Sequence, residues 1–120
     1  VGFAIWGGVF AFLAVALGAF GAHVLGDRLS AEMMSVYHTG DQYQMYHALA
    51  LIAVGILLRL YPDSRLLPAA GWLFIAGIVL FSGSLYALSI SGVKVLGAIT
   101  PLGGVCFLVG WVLFVLALAR

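Results

Sequence analysis

Long apolar runs, separated by short polar stretches, divide the chain. Between Val1 and Ala22 there is no ionisable side chain, and the run is long enough for one helical crossing of a hydrocarbon core, which takes about 20 residues. His23, Asp27, Arg28, Glu32, His38 and Asp41 then crowd the first connection. A second apolar run from Tyr43 to Leu58 closes at Arg59. The segment Tyr61-Pro62-Asp63-Ser64-Arg65 reads as a turn, because Pro62 cannot continue a helix. Pro68 suits the first turn of the next helix and Gly92 its C-terminal stop. Lys94 is the only charge before the fourth run, where Thr100-Pro101 predicts an N-cap followed by proline at the first helical position. The pattern therefore predicts four spans in a single transmembrane domain, over residues 1–23, 42–60, 69–91 and 100–119.

The first connection has a pattern of its own. Leu29, Met33, Val36 and Tyr37 share one helical face, while Ser30, Glu32 and Ser35 avoid it. That predicts a short amphipathic helix lying at the membrane interface. Gly40 is expected to break it, and Asp41-Gln42-Tyr43-Gln44 to start the second span in the manner of a capping box. Trp6, Tyr43, Tyr46, Tyr61 and Trp72 fall near predicted span ends, as interfacial aromatic belts require.

Composition narrows the class. Of 120 residues 65% are hydrophobic and 8% charged, against about 45–50% and roughly 25% in soluble domains. A chain this small has too few charges to cover the surface of a soluble globule, and its hydrophobicity excludes disorder. A formal charge of +1, with five scattered basic residues, leaves no footprint for nucleic acid. The single cysteine, Cys106, excludes a disulfide or dithiol pair within one chain. The chain opens on Val1 without an initiator methionine, so a preceding flank is expected. The first apolar run lacks a basic lead-in and is too long for a signal peptide. An all-α integral membrane four-helix bundle is the expected fold, with the short interfacial helix between spans one and two.

Small residues suggest how such helices pack. Ala14, Gly18 and Ala22 recur at four-residue spacing in the first span; Gly77 and Gly83 interrupt the third; Gly103 and Gly110 stand a heptad apart in the fourth. Small residues on one face let backbones approach closely, so that dispersion holds the bundle.

Span parity gathers the polar intramembrane residues at one end. His23 closes the first span, Gln44 and His47 open the second, Ser82, Ser84 and Tyr86 lie toward the same side of the third, and Thr100 starts the fourth. These seven residues are the candidates for a polar vestibule or docking surface. Each has a structural alternative. His23 can interact with the helix dipole or reach to water. Gln44 and Thr100 can act as caps. Ser82 and Ser84 stand about 200° apart on a helix, and either can bond back to its own carbonyls. His47 lies on the Gln44 face, one turn inside the second span, and is either a functional site or a pin between helices.

Much catalytic chemistry lacks its parts. No Asp, Glu, Lys or Arg is expected mid-span, which removes a carboxylate proton relay, a di-iron site and an ion-pair-gated transporter. There is no nucleophile–base–acid set, phosphate loop or zinc-ligand spacing. No cofactor is expected; His23 and His47 are the one pair able to ligate haem or a metal from two helices.

Four stretches carry a family resemblance: Gly18-Ala19-Phe20-Gly21-Ala22-His23, Tyr43-Gln44-Met45-Tyr46-His47-Ala48-Leu49-Ala50-Leu51, Leu80-Phe81-Ser82-Gly83-Ser84-Leu85-Tyr86 and Gly97-Ala98-Ile99-Thr100-Pro101-Leu102-Gly103-Gly104. In this order they resemble the signature stretches of the YgdD / transmembrane-protein-256-like family, small bacterial and mitochondrial membrane proteins of unknown function. The resemblance covers essentially the whole chain. It implies a four-span protein of the bacterial inner membrane or its mitochondrial counterpart, and no reaction. His38 and the stretch from Leu25 to Val36 do not match the shared pattern and take no family role.

Three functions are compatible with these residues. The first is a non-enzymatic accessory or scaffold subunit that packs against a larger membrane complex or itself. The second is a small transporter, channel or lipid-binding protein using the polar vestibule. The third is haem or metal binding through His23 and His47. The expected partners are the lipid bilayer and a membrane protein or a homo-oligomer, with no nucleic acid. Parity puts Arg59, Arg65 and Arg120 on one side and Arg28 and Lys94 on the other. The positive-inside rule then places both termini in the cytoplasm or matrix.

Overall fold

The computed structural model describes residues 2–119, and every regular element among them is helical. Helix α1 spans Gly2–His23 and a 3-10 turn covers Leu25–Asp27. Helix α2 spans Ala31–Leu60 and α3 Leu66–Gly77. A π-helical stretch at Ile78–Ser82 leads directly into α4, Gly83–Ser91. A second 3-10 turn, Lys94–Ala98, precedes α5, Thr100–Leu118. Four rods are long and apolar enough to cross a membrane: Gly2–His23, Ala31–Leu60, Leu66–Ser91 and Lys94–Leu118. The protein is an all-α, four-helix membrane-spanning bundle with a short interfacial helix, Leu25–Asp27, between its first two spans. Val1, and Arg120 with its place in the charge count, lie outside the described residues.

Two local expectations are corrected. The stretch from Leu29 to Tyr37 does not form a separate helix, because α2 begins at Ala31 and passes through Gly40 and Asp41 without a break. Its cap is Ser30, whose hydroxyl accepts the Met33 amide at 3.1 Å. Gly40 survives inside the helix because it is a contact point: a Cβ there would sit 3.2 Å from Leu85 Cβ. Glycine's helix penalty of about 1 kcal/mol is smaller than the cost of opening backbone hydrogen bonds in lipid. Tyr37 is fully buried against the bundle rather than lying on the interface. At the other end, Thr100 is the first residue of α5 rather than its cap. Ile99 occupies the cap position, and no side chain caps the helix.

Helices α2 and α3–α4 form the central pair, with α1 packed on α2 and α5 on α3 and the π stretch. The main core lies where α2, α3 and α5 meet, around Leu51, Val54, Leu67, Phe74, Ile78 and Phe107. Small residues set both flanking contacts. Along α1, Ala4, Gly7, Ala11, Ala14, Gly18 and Gly21 alternate steps of three and four, the 3.5-residue period of a coiled-coil seam. A Cβ on Gly7 would fall 2.6 Å from the Ala48 carbonyl oxygen, and one on Gly55 would fall 2.7 Å from Ala4 Cβ. Ala22, expected on this seam, is exposed, and Gly21 meets Tyr37 instead. A repeated four-residue step drifts by about 40° each time, so the contact line must return with a three-residue step.

The α3–α5 seam is reciprocal. The Phe74 ring fills the space at Gly110 and the Phe107 ring the space at Gly77, while at Gly103 the Phe81 backbone itself makes the close approach. Gly83 lies off this seam, where a Cβ would meet nothing within 4 Å.

Candidate functional site

The continuity of α2 places Tyr37, Asp41 and Gln44 on one stripe, at spacings of four and three residues, which share a helix face. This stripe meets α1 on one side and Tyr86 of α4 on the other. Tyr86 donates its hydroxyl to Gln44 Oε1 at 2.6 Å, with Asp41 Oδ1 3.3 Å away. One phenolic proton can serve only one of these acceptors at a time. Gln44 Nε2 donates to the Phe10 carbonyl at 2.8 Å, and the Tyr37 hydroxyl donates to the Leu17 carbonyl. Both acceptors are helix carbonyls of α1 whose second lone pair can take a side-chain donor. The Tyr37 and Tyr86 rings pack at 5.2 Å between centroids. Three helices are thus tied together by four side chains.

His47 lies one turn further along α2 in an aromatic setting. Its ring stacks on Phe107 with centroids 3.5 Å apart and planes 10° from parallel. Nδ1 lies 2.7 Å from the Tyr43 carbonyl oxygen, and the Trp111 indole N–H donates to Nε2 at 3.0 Å. A carbonyl can only accept and an indole N–H can only donate, so these partners select the tautomer with its proton on Nδ1.

The serines serve as ties. Ser82 donates to the Gly40 carbonyl at 2.6 Å, joining the π stretch to α2 where the backbones approach. Ser84 donates to the Phe81 carbonyl at 2.9 Å and meets Thr100 Oγ1 at 2.6 Å. With the Ser84 proton on the carbonyl, Thr100 is the donor, and α5 is linked to α4 at its first residue.

Of the seven vestibule candidates, Gln44 and Tyr86 touch each other, as do Ser84 and Thr100. Ser82 and His47 bond to α2 backbone carbonyls, and His23 is exposed at the end of α1 with no part in the network. Tyr37, Asp41 and Trp111 were missed as site residues. By its charge Asp41 falls in the first connection, yet it is half-buried, inside a rod of membrane-spanning length. Trp111 carries no polar pattern in the sequence, and only its approach to His47 reveals its role.

Among the described residues no buried side-chain nitrogen or oxygen lacks a hydrogen-bond partner, and no three His, Cys, Asp or Glu side chains are grouped to hold a metal ion. Iron or another metal taking His47 would have to displace Tyr43 or Trp111. The polar end is a set of closed interhelical bonds, able to fix helix register and orientation.

Comparison with known proteins agrees with this architecture. Residues 17–104 match a family model described as "Protein of unknown function (DUF423)". The chain is 51% identical over 118 residues to the UPF0382 membrane protein YwdK of Bacillus subtilis, covering 98% of this chain and 96% of that one. A UPF0382 membrane protein of Staphylococcus epidermidis is 49% identical over 115 residues, covering 96% and 93%. One from Staphylococcus aureus is 47% identical over the same length and shares. No solved structure matches the chain. With the family model covering most of the sequence and relatives matching nearly end to end, the chain belongs to the DUF423 (UPF0382) family of small multi-span membrane proteins of unknown function.

Proposed function

We propose that this protein is a non-enzymatic packing subunit, a thin membrane bundle that seats against a larger membrane protein or against further copies of itself. The observation that carries this reading is the contrast between closed polar chemistry inside and open apolar surface outside. Buried polar atoms among the described residues are all paired. In contrast, only 11% of the most apolar window of α1 and 17% of that of the fourth rod are buried. A neighbouring membrane protein can cover these flanks without desolvating a polar group. Both termini face the cytoplasm in this proposal.

The test is native mass spectrometry of the protein gently extracted from its own membrane, beside a variant with Phe12→Ala and Val115→Ala on the outward faces of α1 and α5. Whole-chain mass that is lost in the variant supports association through these flanks. A bare monomer, or a complex indifferent to both substitutions, refutes it.

A second reading, a small transporter, channel or lipid-binding protein acting through the polar end, draws support from Asp41. Asp41 is half-buried at the polar end of the bundle with the Tyr86 hydroxyl at 3.3 Å, where a carboxylate could meet an ion or ligand entering from that face. Under this reading Asp41→Asn abolishes transport or ligand binding and leaves association intact. Under the first, Asp41→Asn leaves both unchanged.

A further inference from the structure

A groove runs down one face of the bundle between α2 and α5, with Phe81 of the π stretch in its lining. Its volume is about 610 Å³, within the roughly 300–1,000 Å³ of ligand-sized pockets. Tyr43, Tyr46 and His47 form one wall, and Phe107 and Trp111 belong to the other. Both walls lie in helices of membrane-spanning length, so the groove opens sideways into lipid.

Its position along the membrane normal is legible from the chain. The α5 side runs from Pro101, at the start of the helix, to Trp111. Ten residues at about 1.5 Å each make about 15 Å, half of the roughly 30 Å hydrocarbon core. The groove thus reaches from one interface to about the midplane, the depth of a single leaflet. At the interfacial end Tyr43 and Tyr46 are 39% and 54% exposed, and neither hydroxyl joins the network that holds Tyr37 and Tyr86. Tyrosine at that depth presents its ring to hydrocarbon and its hydroxyl to headgroups.

Shape selects the occupant. A second helix, about 10 Å across, approaches a membrane neighbour closely over small residues, whereas this groove is walled by aromatic rings. Gly104 is one of its few small lining residues. A Cβ there would meet only Phe81 Cδ2, at 3.9 Å, so close packing does not require glycine at this position. The missing side chain leaves room for a single hydrocarbon chain.

We propose that the groove holds one acyl chain of a bilayer lipid from the leaflet on the side of the first connection, with the lipid's ester and headgroup region beside the Tyr43 and Tyr46 hydroxyls. One wall of this site belongs to the fourth rod, whose outward face the association reading also uses, but lipid binding here does not require a protein partner.

Full-length protein with Trp6→Phe and Trp72→Phe, leaving Trp111 as the sole tryptophan and excited selectively over the tyrosines, is reconstituted into bilayers of phosphatidylglycerol with and without bromine at the chain midpoint. A chain held against Trp111 quenches it strongly, and Gly104→Leu, which fills the groove, removes that excess quenching. Native mass spectrometry of the same samples in mild detergent should show one lipid mass per chain, lost with Gly104→Leu. If Gly104→Leu fails to fold, the pair Tyr43→Phe and Tyr46→Phe replaces it, and the retained lipid should then dissociate more readily. Three results overturn the proposal: no retained lipid, a lipid and quenching unaffected by filling the groove or removing both hydroxyls, or a second copy cross-linked at Trp111 in place of lipid.

Discussion

The indole N–H of Trp111 and Nε2 of His47 meet at 3.0 Å although the residues stand 64 positions apart. This bond crosses from α5 to α2 in the part of the bundle most walled by aromatic rings. It also completes the hydrogen bonding of the imidazole, since Nδ1 is held by Tyr43. His47→Ala would remove the Phe107 stack and leave the Trp111 donor without an acceptor. We predict a loss of about 1–3 kcal/mol, read by denaturation in mixed micelles. A double-mutant cycle with Trp111→Phe should give a coupling of about 0.6 kcal/mol, the mean for intramembrane hydrogen bonds, and no more than about 1.7 kcal/mol. Zero coupling would show that the bond contributes nothing.

The glycines divide into two classes with opposite expected outcomes. Gly103→Ala drives a methyl group into the Phe81 backbone, and Gly7→Ala drives one into Ala48 and Ile52. Each should cost about 1–3 kcal/mol, as overpacked contacts do. Gly83→Ala meets no neighbour within 4 Å and should be neutral or stabilising by up to about 1 kcal/mol, because alanine loses less freedom on ordering. Thermal denaturation of the three variants in one detergent checks the ranking, and equal effects would contradict the seam geometry.

Tyr86→Phe keeps the ring packed on Tyr37 but takes away the hydroxyl that donates to Gln44 and lies 3.3 Å from Asp41. Gln44 retains its bond to Phe10, so the expected cost is about 1 kcal/mol. Gln44→Leu, which breaks the links to both α1 and α4, should cost more. If the two variants are equally stable, the α1 link carries no weight.

Topology has a direct test. A reporter fused after Arg120 should read cytoplasmic, because Arg59 and Arg65 lie on the same side of the membrane as that end by span parity. A reading on the opposite side would reverse the orientation and leave the polar residues gathered at one end.

Gly40 and Asp41 show where reasoning from the chain alone stops. A glycine followed by Asp-Gln-Tyr-Gln has the local chemistry of a helix boundary, and nothing nearby in sequence contradicts it. The contacts made there come from far along the chain: Ser82 donates to the Gly40 carbonyl, and Leu85 packs where a side chain on Gly40 would stand. Once α2 continues through that point, Asp41 and Tyr37 join the buried network. The gathering of polar residues at one end was visible from span parity. Their partners were not, because Ser84 can bond its own helix or Thr100 equally well until the helices are placed.

The class of protein, the four helices, the turn at Pro62 and the left-handed stop at Gly92 are all legible in the chain. Those features follow from terms that act locally: transfer of apolar side chains into lipid, backbone hydrogen bonding within each helix, and the allowed φ of glycine and proline. Which small residues form seams, that Gly21 and not Ala22 faces α2, and that His47 meets Trp111 emerge only once the helices are packed. Those outcomes depend on crossing geometry and on contacts far apart in the chain. In lipid, where every helix face is apolar, hydropathy does not distinguish the face turned to a neighbour from the face turned to the membrane.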